Sequence, residues 1–257
     1  MAALTRIRLE RRDDGIRILT LNDPDKRNAI GPEMREDLLS IAQELRDDAE
    51  ARCLIVTGEG SSFCAGADLV ALFGEGERTP SESRERQLAY YESFLWIRSL
   101  PYPTVAAVNG HAIGAGLNLA LVCDIVVGGP NARFGATFSK IGLHPGGGCT
   151  YFVTERLGRS RGLRTLLTGE VVRGERAYEL GFADQYDENP LDAAVALGTE
   201  IAALEPALAR DIKRAVTIAT EGGFLETITV ESWAQAASTF HPGVMEGILR
   251  SGRTTAR

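Results

Sequence analysis

A chain of 257 residues, 44% hydrophobic and 25% charged, can bury a large core and has the composition of an ordinary globular protein. Its formal net charge of −7 argues against nucleic acid or an anionic membrane as partner, although a local basic patch could still hold a phosphorylated ligand. Four scattered cysteines, Cys53, Cys64, Cys123 and Cys149, form no CxxC pair or other metal-ligand spacing, which predicts reduced thiols and no metal.

The N-terminal stretch lacks the apolar core of a secretion signal, and the most apolar run, around Ala112–Val122, is too short to span a bilayer. A cytoplasmic location is expected. Two alternating runs, Ile7–Arg11 and Ile16–Asn22, flank Asp13-Asp14-Gly15 and predict a hairpin. Pro32 suits the first turn of a helix, which Met34, Leu38, Ile41, Ala42 and Leu45 continue at helical spacing. A buried strand follows at Cys53–Thr57. Residues 74–86 read as a mobile excursion leading into a helix with Leu88, Tyr91, Leu95 and Trp96 on its apolar stripe. Next come a strand at Thr104–Val108, a Gly-rich turn, a short helix at Gly116–Val122, and strands at Asp124–Val127 and near Arg133–Gly135. Pro145-Gly146-Gly147-Gly148 opens a helix to Leu157. Beyond Arg159 strand signals vanish and the helical period takes over. The expected division is a core of residues 1–185, built from repeated strand–strand–helix units, and a helical region of residues 186–257.

Two glycine-rich turns carry the chemistry: Ser61–Leu69 and Val108–Gly116, each after a buried strand. Small residues let a ligand approach the backbone closely, and the second turn opens a helix whose first N–H groups lack internal partners. Side by side, two such turns could aim two N–H donors at one developing oxyanion, where each donor is worth about 2.7–4 kcal/mol. Taken singly, either turn reads equally well as a tight strand-to-helix connection.

In combination, the motifs resemble the crotonase (enoyl-CoA hydratase/isomerase) superfamily. The likeness rests on Arg27-Asn28-Ala29-Ile30, the AGADL box at Ala65–Leu69, Ala106–Gly110, Cys123-Asp124-Ile125, Phe134-Gly135, Lys140–Leu143 with Pro145–Gly148, and the segment from Thr168-Gly169 to Gly181-Phe182. It implies an α/β fold, a right-handed spiral of ββα turns with a helical C-terminal region that builds homotrimers or hexamers. It also implies an acyl-CoA or enoyl-CoA ligand, with coenzyme A arriving as part of the substrate thioester and no permanently bound cofactor. The backbone N–H groups of Ala67 and Ala115 would form the oxyanion hole. Lys26, Arg27, Ala29 and the edge Ala65, Gly66, Asp68 and Leu69 would lie against the coenzyme A nucleotide. Lys26 and Arg27 also read as solvated turn charges, and Asp68 as the cap of the next helix.

Relative to the family pattern, two acids are missing. Family hydratases carry one glutamate just after the Gly-rich turn, where this chain has Asn118, and another after the Phe-Gly pair, where it has Phe138. Hydration needs a base to activate water and an acid to protonate the α-carbon, so reduced or altered chemistry is expected. His144 is the best substitute for a proton relay, with a hydrogen-bonded structural histidine as the competing reading. Ser139 could place a water if its side chain faces the pocket. His111 reads as packing, and Cys64 and Cys149 as thiols without a base. The alternatives to an atypical hydratase or isomerase are a thioester hydrolase or decarboxylase using His144, and a non-catalytic acyl-CoA binder. Glu246–Arg250 is similar to the family's closing segment, but Ser251-Gly252-Arg253 departs from it.

Overall fold

The computed structural model describes residues 4–74, 76, 78–241 and 243–244. The chain divides after Ala203 into two compact units. In the first, Ile7–Arg11 (β1) and Ile16–Leu21 (β2) form the expected antiparallel hairpin, with Ile7 opposite Leu21. Helix α1, Pro32–Asp47, takes Pro32 in its first turn and buries Met34, Leu38, Ile41 and Leu45, as their spacing requires. Strand β3, Cys53–Gly58, is buried throughout.

After a short helix α2, Leu69–Phe73, comes α3, Pro80–Leu95. Thr79 caps α3 and Glu82 returns the bond to the Thr79 backbone, so the helix starts within the stretch expected to be an excursion. Its buried face is Tyr90, Ser93 and Phe94, continued by Trp96 and Ile97, whereas Leu88 is exposed. The apolar stripe is therefore turned from the expected one.

The middle of the chain supplies β4 (Thr104–Val108), β5 (His111–Ile113), α4 (Ala115–Leu121), β6 (Ile125–Gly128) and β7 (Arg133–Gly135). Helix α5, Cys149–Thr168, is broken at Gly158, whose φ of 72° is non-helical, so its first segment ends at Leu157 as expected. Then follow β8 (Val171–Arg173), α6 (Gly174–Leu180), β9 (Gln185–Tyr186) and α7 (Pro190–Ala202). Strands β8 and β9 correct the expectation of an all-helical chain beyond Arg159. They are three and two residues long, too short for a two-residue period to register.

Strand order in the larger sheet is β1-β2-β3-β4-β6-β9, parallel from β2 onward, and β5-β7-β8 form a second sheet. The long strands are apolar runs because both faces of the sheet are covered. One face buries Leu19, Leu54, Val56, Ala106 and Val126, and the other buries Ile16, Ile55, Val105 and Val127. Helix α7 covers the second face with Ala194 at its centre, which places residues 190–202 in the first unit and carries it past residue 185.

Among the described residues the second unit holds α8 (Pro206–Glu221) packed with α9 (Phe224–Ser238). It leaves Phe224, Leu225, Trp233 and Phe240 exposed. The closing motif at Glu246–Arg253 lies outside the described residues. Among the described residues no helix is long and apolar enough to cross a membrane.

Candidate active site

The two glycine-rich turns lie against each other. Cys64 N–H donates to the His111 carbonyl at 2.7 Å, and Ile113 N–H donates to the Cys64 carbonyl at 3.1 Å. Two glycines permit this approach. A Cβ on Gly116 would fall on the Cys64 carbonyl oxygen. One on Gly66, which sits at φ +106°, would lie 2.6 Å from the Ile113 oxygen and 3.5 Å from the Ala115 nitrogen. The requirement for glycine is thus a matter of contact between the turns.

On its other side the first turn pairs with Arg27–Ile30. Ala65 N–H donates to the Arg27 carbonyl at 2.9 Å, Ile30 N–H to the Gly66 carbonyl at 2.8 Å, and Asp68 N–H to the Ile30 carbonyl at 3.3 Å. In this parallel bridge Ile30 takes the peptide groups on either side of Ala67, so the N–H of Ala67 itself faces away from that partner. Ala115 is the first residue of α4, where an N–H has no internal acceptor. Among the described residues neither the Ala67 nor the Ala115 N–H donates to a protein acceptor.

Both alanines line one cavity of about 290 Å³, together with Ala65, Gly66, Leu69, Asn118 and His144. Leu72, Phe73, Tyr91, Phe138 and Ile141 complete most of its apolar wall. Lys26, Ala29 and Asp68 line a separate, smaller cavity of about 100 Å³; Arg27 lines neither and is exposed. Arg27 and Asn28 both adopt left-handed φ values, 53° and 55°. Asn28 holds that shape from inside: its Oδ1 accepts from Asp23 N–H at 2.9 Å, and its Nδ2 donates to the carbonyls of Glu59 and Ser62 at 3.0 and 2.7 Å. Asp68 caps α2, accepting from Ala71 N–H at 3.0 Å.

Asn118 is 1% exposed. Its Nδ2 donates to the Gly146 carbonyl at 2.7 Å, which leaves Oδ1 buried without a partner among the described residues. Phe138 sits in a 3-10 helix, Thr137–Ile141, that follows β7. Thr137 and Phe138 reach the cavity, whereas Ser139 is not among its lining residues, so a water-placing role for Ser139 falls away. His144 is exposed and lines the rim; its Nδ1 donates to the Pro145 carbonyl at 2.7 Å, so the neutral ring keeps Nε2 as an acceptor. His111 lies outside the cavity. Burial first, and then the cationic Arg133 and Arg27, hold its pKa low, and its Nε2 accepts from Arg133 at 3.1 Å. Burial pushes the thiols of Cys64 and Cys149 up to about 12, so both stay protonated and unreactive.

Tyr90 was not visible as a site residue. It lines the cavity, is 6% exposed, and its hydroxyl has no partner among the described residues. Burial raises its pKa well above the usual phenol value, which keeps it a neutral O–H donor. The adjacent Tyr-Tyr pair was the available signal, but only Tyr91 fell on the expected apolar stripe.

A ββα core with two touching turns over an apolar cavity defines a protein of the crotonase class. The sequence matches the enoyl-CoA hydratase/isomerase family over residues 11–250. It is 43% identical over 191 residues, 74% of this chain and 73% of the other, to a Mycobacterium tuberculosis protein described as a probable enoyl-CoA hydratase. The fold matches the enoyl-CoA hydratase of Bacillus anthracis with a TM-score of 0.88 over 97% of each chain, at 24% identity. A Thermobifida fusca structure determined in complex with CoA is 32% identical, covers 91% of this chain and 93% of its own, and gives a TM-score of 0.81. The chain belongs to the enoyl-CoA hydratase/isomerase family.

Proposed function

We propose that this protein binds an acyl- or enoyl-CoA thioester and stabilises its enolate or oxyanion with the N–H groups of Ala67 and Ala115, by chemistry other than efficient hydration. The observation that carries the reading is a pair of unpartnered N–H groups on touching turns that line one apolar cavity. The CoA bound to the Thermobifida fusca neighbour supports the ligand class. The nucleotide end would run along Lys26, Arg27, Ala29 and the Ala65–Leu69 edge, near the 100 Å³ cavity.

Asn118 and Phe138 stand where the family pattern carries glutamates, and no carboxylate is among the described lining residues. An amide does not exchange protons at neutral pH, and a phenyl ring cannot. Each missing acid–base group costs about 10²–10⁴-fold, and losses within one unit need not multiply. The test is incubation with crotonyl-CoA and a longer trans-2-enoyl-CoA while the conjugated absorbance is followed. We expect a rate lower by about 10² or more; turnover at the level of an ordinary hydratase defeats the altered-chemistry reading.

A second reading has an observation of its own in the free acceptor Nε2 of His144 at the cavity rim. There it would serve a thioester hydrolase as base, whereas a decarboxylase needs chiefly the oxyanion hole. Products from a panel of acyl-CoAs, compared with His144→Ala, separate these; tight binding without any product supports a non-catalytic binder. Assembly as a homotrimer or hexamer fits the exposed apolar side chains of the second unit.

A further inference from the structure

Behind the acyl cavity lies a second cavity of about 200 Å³, lined by Arg35 of α1, Asp68 at the start of α2, Ala71 of α2, and Arg86 and Tyr90 of α3. Leu72 and Tyr90 line both cavities and form the wall between them. Two donors here lack acceptors. The Nε of Arg35 is buried without a partner, as is the Tyr90 hydroxyl, and Arg35 pairs with no carboxylate among the described residues. By contrast, Arg17 and Arg156, whose side chains are also nearly buried, each meet a carboxylate. A buried donor without an acceptor costs free energy that a bound acceptor recovers.

Charge narrows the ligand. Arg35 and Arg86 bring two positive charges to the cavity and Asp68 one negative charge, a net of +1 among the described residues. Arg86 donates one N–H to the Ala71 carbonyl and Asp68 accepts from Ala71 N–H, while the buried donors left open are the Arg35 Nε and the Tyr90 hydroxyl. A single planar carboxylate group suits a guanidinium fork and balances that charge, whereas a phosphate would bring both its charges into the cavity and exceed it; the second carboxylate of a longer diacid lies outside. We propose that this cavity is a carboxylate-binding site. The carboxylate is either free or the far end of an acyl chain that passes the Leu72–Tyr90 wall. Only the second version rests on the acyl-CoA reading.

The experiment compares adipyl-CoA, hexanoyl-CoA and free adipate by calorimetry on wild type, Arg35→Gln and Tyr90→Phe. If the carboxylate belongs to the substrate, wild type binds adipyl-CoA about 10–100-fold more tightly than hexanoyl-CoA. Arg35→Gln then removes most of that preference and leaves hexanoyl-CoA binding unchanged. If the carboxylate is free, the two thioesters bind alike, adipate binds wild type, and Arg35→Gln weakens adipate by about tenfold or more. Tyr90→Phe weakens the same ligand, which gives a second variant should Arg35→Gln misfold. Equal thioester affinities with no adipate binding overturn the proposal. Adipate binding with neither thioester bound would sink the acyl-CoA reading and leave this site standing.

Discussion

Replacing Gly66 with alanine puts the contact between the two turns under direct strain. The added methyl would sit 2.6 Å from the Ile113 carbonyl oxygen, closer than real Cβ atoms come, and the residue would have to keep a φ of +106°. The left-handed backbone costs about 1–2 kcal/mol, and forcing an extra carbon into a packed contact about 1–3 kcal/mol more. A stability loss of about 2–5 kcal/mol follows, which in a chain of this size lowers Tm by roughly 5–15 °C. The relief available is to part the turns, and that would also move the Ala67 N–H away from Ala115. The assay is a thermal melt paired with NMR measurement of deuterium uptake at the α-carbon of butyryl-CoA in D₂O, which reports enolate formation. Below the melting transition, uptake per folded molecule should fall by about 10²–10³. An unchanged Tm refutes the packing argument. A lowered Tm with unchanged uptake refutes the assignment of the oxyanion hole to these turns.

Other outcomes follow from local geometry. Asp48→Asn strips Arg17 of its carboxylate at 2.7 Å in a nearly buried pair and should cost about 3–5 kcal/mol in urea unfolding at pH 7. The hydrogen bond and charge of Arg17 hold the Asp48 pKa below the ordinary carboxylate value. The pair's stabilisation is therefore complete above the unfolded-state value near pH 4 and fades as pH falls through the lower folded value, so the mutant and wild-type stabilities should converge in acid. Asn28→Ala removes three hydrogen bonds, two of them buried, and leaves alanine at a φ of 55°; we expect about 2–4 kcal/mol of destabilisation and weaker acyl-CoA binding by calorimetry. Sedimentation equilibrium should give at least three times the 27.7 kDa chain mass, and Phe224→Glu with Trp233→Glu should lower it. A monomeric wild type would refute that assembly.

Strands β3 and β4 were legible because they are buried on both faces and so appear as apolar runs, and the β1–β2 hairpin because its two runs flank Asp13-Asp14-Gly15. Helix α1 was legible because its buried residues recur at one helical period. Strands β5, β8 and β9 were not, since two or three residues carry no period. Helix α3 was misplaced because Thr79-Pro80-Ser81-Glu82 is polar, and its polarity hid a capping box. Both glycine turns were readable as sites of close approach, although the sequence could not tell whether they touch each other or a ligand; Gly66 and Gly116 do the former directly. The second cavity was invisible for a different reason. Arg35, Arg86 and Tyr90 come from α1 and α3, and nothing in their local sequence signals that they meet.

The convergence of the Ala67 and Ala115 N–H groups on one oxygen can be seen in a crystal structure with a bound acyl-CoA. The thioester oxygen should lie within about 2.7–3.1 Å of both the Ala67 and the Ala115 nitrogen, with the acyl chain running between Asn118 and Phe138. A thioester oxygen turned toward solvent, or held by only one of the two amides, would contradict it.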